Sequence, residues 1–452
     1  MAKKKVNYIC GECGFSSPGW LGKCPQCSSW NTLQEVIEER GGTPSKREGK
    51  EKRPSPISEI VIEGDMRKET GIGEFDRVLG GGLVGGSVSL VAGEPGIGKS
   101  TLLLQVCASL ARSGERVMYV SGEESEKQVK MRAERLGING ENIFFLSETL
   151  GESISAASEE VSPSVIVVDS IQTLTSEHVA GAPGSISQVR ESTYQLSQSA
   201  KGMGIALLLV GHVTKEGAIA GPKLLEHMVD VVLYFEGEKG HPFRVLKGVK
   251  NRFGSVSEIG IFEMTGKGLM EVTDPSGLFI NGSKSPVPGM VVFPSLSGSR
   301  TMMVEVQALV SKTYLPVPRR VVVGLDQSRS QIVTTIVEKH CGIKLYNSDL
   351  YLNVAGGMRI FDTGGDLPLA MAIMSGALDK PIQAGLTGFG EVGLGGEVRP
   401  VPLPRQRVAE AVRMGFRSIL VPSRVAEELN HNEKGVEIIP VTTVRDLKRR
   451  VI

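Results

Sequence analysis

Aromatic residues are scarce in this chain, 5% of 452, and only two of them are tryptophans, Trp20 and Trp30. Net charge is nearly absent: 51 Lys plus Arg almost cancel 50 Asp plus Glu, leaving a formal +1. Attraction of the whole molecule to a polyanion is thereby excluded, and any nucleic-acid contact has to come from local basic patches. Long apolar runs are missing too; stretches such as 205–210 are far too short to cross a bilayer. The Lys-rich start (Lys3, Lys4, Lys5) leads into Cys10 and polar residues instead of the apolar core of a signal peptide, so a cytoplasmic protein without membrane contact is expected. No fixed-period repeat runs through the chain, which excludes solenoid architectures. What is abundant is glycine, 56 residues, within a balance of 40% hydrophobic and 22% charged residues. That is the composition of a folded chain of about three domains, rich in tight turns of the kind that often handle phosphates.

Four of the six cysteines fall in the first 27 residues, as Cys10-x2-Cys13 and Cys24-x2-Cys27 with ten residues between the pairs. Each pair suits a tight turn that points two thiolates at one ion, and four sulfurs complete the tetrahedral shell of Zn²⁺. A module this short (1–37) has no core of its own, so the metal supplies its folding energy; two disulfides are the alternative, disfavoured in a reducing compartment. Tyr8, Phe15, Trp20 and Trp30 surround the pairs and are expected to pack around the metal knuckles, with stacking on bases as the other use. Cys107, inside an apolar helical stretch, reads as a small buried residue. Residues 38–56 hold six basic and four acidic residues with Gly and Pro and no large apolar side chain, which reads as a flexible linker.

From 57 to 274 apolar runs at 88–91, 116–120, 143–146, 165–168, 205–210 and 229–235 alternate with helical patterns at 100–111, 124–136 and 187–201. Several runs lack alternation, as strands covered on both faces do, and the order predicts a doubly wound α/β sheet. Gly93-Glu94-Pro95-Gly96-Ile97-Gly98-Lys99-Ser100, followed by Thr101, satisfies G-x4-G-K-[ST] between a strand and a helix. The glycines let backbone N–H groups face phosphate oxygens, Lys99 reaches the β and γ phosphates of ATP, and Ser100 offers a hydroxyl to Mg²⁺. Asp169 ends the apolar run 165–168 where a second Mg²⁺-holding group belongs. Glu123, with Glu124 as the alternate, follows the strand 116–120, where a carboxylate can orient the attacking water.

The order of P-loop, post-strand Glu, VIVVDS (165–170) and a strand into Gly211-His212 resembles the RecA/DnaB ATPase core. The resemblance implies that His212 senses the γ-phosphate and that 175–187 and 213–224 are DNA-binding loops, with Arg190, Lys215 and Lys223 as nearby cations. Lys250-Asn251-Arg252-Phe253-Gly254 resembles the Lys-x-Arg element that hexameric members of that group project into a neighbour's ATP site. KNRFG, the four-Cys finger in front and the domain behind together resemble the bacterial RadA (Sms) recombination family over essentially the whole chain.

That resemblance implies a Lon protease-like α+β domain over 275–452. There Asp366, in Thr363-Gly-Gly-Asp366, stands where Lon proteins carry their nucleophilic Ser, and Arg405 stands for the base; Ser375 lacks the flanking motif. A carboxylate beside a guanidinium cannot perform Ser–Lys acyl transfer, so an inactive protease scaffold is expected. Arg399, Arg405, Arg407, Arg413 and Arg417 form a basic cluster, with Arg405 and Arg407 as candidate DNA contacts and a solvated helix surface as the alternative. The family implies a hexameric, DNA-dependent ATPase that acts on single-stranded and branched recombination intermediates alongside the RecA recombinase. An ATP-dependent Lon-type protease and a non-motor ATP switch are the competing functions.

Overall fold

The computed structural model of the chain describes residues 5–10, 16–26, 30–38, 56, 58, 67–212, 222–237, 241–279, 287–357, 359–429 and 435–450. They group into two compact units, one of residues 1–236, 244–256 and 264–271, the other of 237–243, 257–263 and 272–452. Among the described residues no helix is long and apolar enough to cross a membrane. The expected linker lies almost wholly outside the described residues.

At the N-terminus β1 (Lys5–Cys10) pairs antiparallel with β2 (Ser16–Ser17) and with β3 (Leu33–Glu38), placing Cys10 opposite Leu33. Cys10, Cys24 and Leu33 are buried together, with Tyr8 packed against them. A cluster this small cannot enclose an indole. Contrary to expectation, Trp20 and Trp30 therefore stand outside it, 57% and 70% exposed.

The larger part of the first unit is built on parallel strands. They are β4 (Val88–Gly93), β5 (Val117–Ser121), β6 (Ile143–Ser147), β7 (Val165–Asp169), β8 (Ala206–His212) and β9 (Val231–Glu236), followed by the antiparallel β10 (Phe243–Asn251). Their order across the sheet is β10-β9-β4-β8-β7-β5-β6. Every residue of β4, β5 and β7 is buried, which is why these segments read as unbroken apolar runs. The connecting helices are α1 (Lys99–Arg112), α2 (Glu126–Arg135), α3 (Gly151–Val161) and α4 (Ile186–Met203), with the short α5 (Pro222–Met228) before β9. Helix α3 has no counterpart in the sequence reading. Its one fully buried large apolar side chain is Ile154, too little for a helical period to show.

The second unit has a four-stranded sheet and a three-stranded parallel sheet. The first contains β11 (Met290–Ser297), β12 (Arg300–Lys312), β13 (Arg320–Val323) and β14 (Ser348–Val354) in the order β11-β12-β14-β13. The second places β15 (Leu386–Gly388), β16 (Ser418–Pro422) and β17 (Glu437–Val441) side by side in chain order. Helix α6 (Gln327–Cys341) precedes β14, the largely buried α7 (Asp366–Leu378) precedes β15, and α8 (Pro404–Arg413) precedes β16. Strand β11 contains Pro294. It is the edge strand of its sheet, where a missing N–H is tolerated.

The expected basic face around α8 is not what forms. Arg407 is fully buried. Its guanidinium forks onto Asp362 at 2.6 and 2.8 Å and also donates to the carbonyls of Pro294 and Pro402. A Cβ at Gly364 would lie 2.7 Å from Arg407 Nη1, so this position has room only for glycine. Arg407 is thus a tie between β11, the 362–364 turn and α8, and not a DNA contact. Arg399 pairs with Glu397, and Arg413 pairs with Glu410 and Asp274, while Arg405 is exposed. Arg405 also does not serve as the partner of Asp366. That buried carboxylate is gripped by Arg329 from α6 and accepts from the Val392 N–H at 2.9 Å.

Removing one member of a buried, hydrogen-bonded ion pair costs about 3–5 kcal/mol. Arg407→Ala should lower the guanidinium midpoint of the second unit accordingly, whereas Arg405→Ala should leave it in place. Equal midpoints for wild type and Arg407→Ala would contradict the buried pairing.

Candidate nucleotide site

Strand register brings the site together. In the parallel pairs, Gly93 of β4 lies beside His212 of β8 and Phe235 of β9, and Asp169 of β7 lies beside Ser121 of β5. The carboxyl ends of these strands therefore open on one crevice, where ligands of doubly wound sheets bind. Gly93 is obligatory because a Cβ there would sit 2.3 Å from the Phe235 carbonyl oxygen. Gly98, at φ +113°, sets the turn into α1 and leaves the first N–H groups of that helix open to an anion.

Lys99 is 3% exposed, and its Nζ donates to the carbonyls of Gly93 and Glu94 at 2.7 and 2.9 Å. Burial pulls its ammonium down to about 8, partly offset by the negative charges of Asp169 and Glu123. Asp169 is buried and accepts from the Tyr119 hydroxyl at 2.7 Å, while Tyr119 is itself held protonated by burial and by Asp169. Glu123 accepts from the Ser170 hydroxyl and lies 3.3 Å from His212 Nε2. Glu124 points into a different interaction, an ion pair with Arg132 of α2. Of the two candidate carboxylates, Glu123 is the one beside His212. The other ring nitrogen, Nδ1, is buried without a hydrogen-bond partner. Sequence reasoning missed Tyr119 and Ser170, and also Arg244 of β10, whose Nε donates to the Ile97 carbonyl of the P-loop at 3.2 Å. Their partners lie 47 to 147 residues away in the chain, so only the fold brings these contacts into view.

The donor set fits ATP with Mg²⁺: a glycine-shaped cradle, a buried cation, the Ser100 hydroxyl and a buried carboxylate at the end of the strand two positions away. At the finger, buried Cys10 and Cys24 supply thiol ligands suited to zinc, and Cys13 and Cys27 lie outside the described residues.

Lys250 and Arg252 are not brought to this crevice. Lys250 lies opposite Val232, which is level with Leu90, three residues short of Gly93. At about 3.3 Å per residue that is roughly 10 Å toward the opposite end of the sheet. Its Nζ donates to the carbonyls of Glu226 and Val229 at the end of α5, at 2.6 and 2.8 Å. Arg252 is exposed and pairs with Asp230 at 3.2 Å. Of the candidate DNA-contacting cations, Arg190 is exposed on α4, while Lys215 and the side chain of Lys223 lie outside the described residues.

A bound triphosphate favours the charged form of Lys99. Binding should therefore draw in a proton between about pH 8, where free Lys99 titrates, and its ordinary range near 10.5. Affinity should fall as pH rises through that window, by up to about tenfold per unit. Calorimetry at pH 9 in buffers of different ionisation enthalpy reads this uptake. Lys99→Arg, charged throughout, should abolish it, and zero uptake by wild type would overturn the assignment.

Three family models match the chain: "ATPase: KaiC" over residues 68–276, "Rubredoxin metal binding domain" over 8–35, and "Subunit ChlI of Mg-chelatase" over 318–425. They agree with the expected RecA-like ATPase core, N-terminal zinc module and Lon-like C-terminal domain, and with the use of ATP, Mg²⁺ and zinc. Among curated relatives, "DNA repair protein RadA" of Bacillus subtilis is 48% identical over 99% of both chains. The protein of that name from Pseudomonas aeruginosa is 48% identical over 98% of both. The one from Listeria monocytogenes is 44% identical over 100% of this chain and 99% of its own. With a P-loop crevice of this geometry behind a cysteine finger, and relatives this similar along their whole length, the chain belongs to the RadA family of DNA repair proteins.

Proposed function

We propose that this chain is a DNA-dependent ATPase that assembles as a hexameric ring. It works in the cytoplasm as a helicase-like motor, processing or branch-migrating recombination intermediates together with the RecA recombinase. The observation that carries the reading is the separation of Lys250 and Arg252 from their own P-loop. Lys250, set back roughly 10 Å along the sheet from Gly93, and Arg252 beyond it are not at the phosphate site of their own chain, and on this reading they serve that of an adjacent protomer. A cation supplied in trans neutralises charge that develops during phosphoryl transfer, an effect of about 10³ to 10⁵ in rate.

Within one protomer, Lys99 holds the phosphates, and Ser100 and Asp169 hold Mg²⁺, which offsets their charge. Glu123 accepts a proton from the attacking water, and His212, beside it, senses the γ-phosphate through the same carboxylate. The second unit serves as a scaffold: Asp366, at the place of a Lon nucleophile, is a carboxylate already engaged by Arg329. The protease alternative has no observation in its favour.

Hydrolysis measured with and without single-stranded DNA, alongside light scattering with ATP present, tests the reading. Stimulation by DNA and a mass of several protomers are expected, and an ATPase indifferent to DNA would instead indicate the non-motor switch. Glu123→Gln should lower turnover by about 10² to 10⁴ while ATP still binds, and Glu124→Gln should change it far less. Mixing Arg252→Ala with Lys99→Ala protein should restore part of the lost activity; no recovery at any ratio would refute action in trans.

A further inference from the structure

We propose that the finger is a stacking platform for single-stranded DNA, with Trp20 and Trp30 as its base-contacting faces and Lys23 as its phosphate contact. This rests on the DNA-binding reading above and adds the site where unpaired bases are held.

The two indoles border one dipeptide. Trp20 lies against Gly22, whose added Cβ would stand 3.6 Å from the ring, and Trp30 forms an antiparallel bridge with Lys23. The Lys23 ammonium lies 5.6 Å from the centroid of the Trp30 ring. The Asn31 N–H closes the turn by donating to the Gly22 carbonyl at 2.8 Å. This holds the two rings on one short, hydrogen-bonded loop. Trp20 is 57% and Trp30 70% exposed, and no other tryptophan occurs in the chain. Water-exposed indoles are costly apolar surface, and their presence in pairs marks a contact surface.

The chemistry of that surface selects its partner. Between Glu12 and Glu35 the only charged side chain in the sequence is Lys23. A carboxylate-free tip with two flat π faces and one cation suits a strand of bases linked by phosphates. Each indole can take a base regardless of its identity, and the ammonium can pair with the intervening phosphate. In a duplex the faces of the bases are already covered by their neighbours, so the platform distinguishes single strands from double strands.

Because both tryptophans are in the finger, the whole tryptophan emission of the chain reports on it. The zinc-loaded full-length protein is titrated with an oligothymidine, and its emission is compared with the anisotropy of the same oligonucleotide carrying a label. Saturable quenching that follows the anisotropy is expected, with little quenching by a duplex of equal length. Trp20→Ala and Trp30→Ala, each checked for one zinc per chain, should weaken oligonucleotide binding about five- to one-hundredfold and leave ATP hydrolysis without DNA unchanged. Trp30→Phe should retain much of the affinity, which separates a stacking role from one in folding. Oligonucleotide binding with unchanged emission, or equal quenching by duplex, would overturn the platform alone. Failure of the whole chain to bind the oligonucleotide would overturn the DNA reading and the platform with it.

Discussion

Parallel strands buried on both faces cannot slip relative to one another without moving apolar side chains out of the core. In this chain that constraint builds the site. The register fixes Gly93, Ser121, Asp169, His212 and Phe235 at one edge, because the segments behind them (88–92, 117–120, 165–168, 206–211 and 231–234) are held between helices and sheet. The polar groups stand where the apolar runs stop. Tyr119 shows how closely the two are joined: it is a fully buried core residue of β5, yet its hydroxyl reaches out to the carboxylate of Asp169.

The crevice stores unfavourable charge burial. Lys99 has lost much of its hydration, and two backbone carbonyls only partly replace it. Triphosphate oxygens restore what was lost, so part of the affinity for nucleotide is prepared during folding. The second unit uses charge differently. Arg407 with Asp362 and Arg329 with Asp366 are completed within the fold.

How much of this was legible in the sequence depends on whether a residue's role is local. The P-loop, the unbroken apolar strands and the carboxylate at the end of 165–168 each declare themselves within a few positions. Glu123 and Glu124 were left as alternatives because they are adjacent, and only Arg132, eight residues beyond Glu124, separates them. Arg407 resembles its arginine neighbours in composition. Its distinction comes from Asp362, 45 residues away, and from the Pro294 carbonyl of β11. The tryptophans were expected to pack inward because large apolar residues usually do. The described interior of the finger is only Cys10, Cys24 and Leu33 with Tyr8 beside them, and it has no volume for an indole. The sparse burial of α3 concealed its period.

An ammonium has three hydrogens, and Lys250 has already given two of them to the carbonyls of Glu226 and Val229. Both are carbonyls of the kind that a helix end leaves without a partner of its own. Lys250, reaching across from β10, therefore closes off α5 and fastens it to the sheet, so that this short helix is held where it stops by a strand that comes after it in the chain.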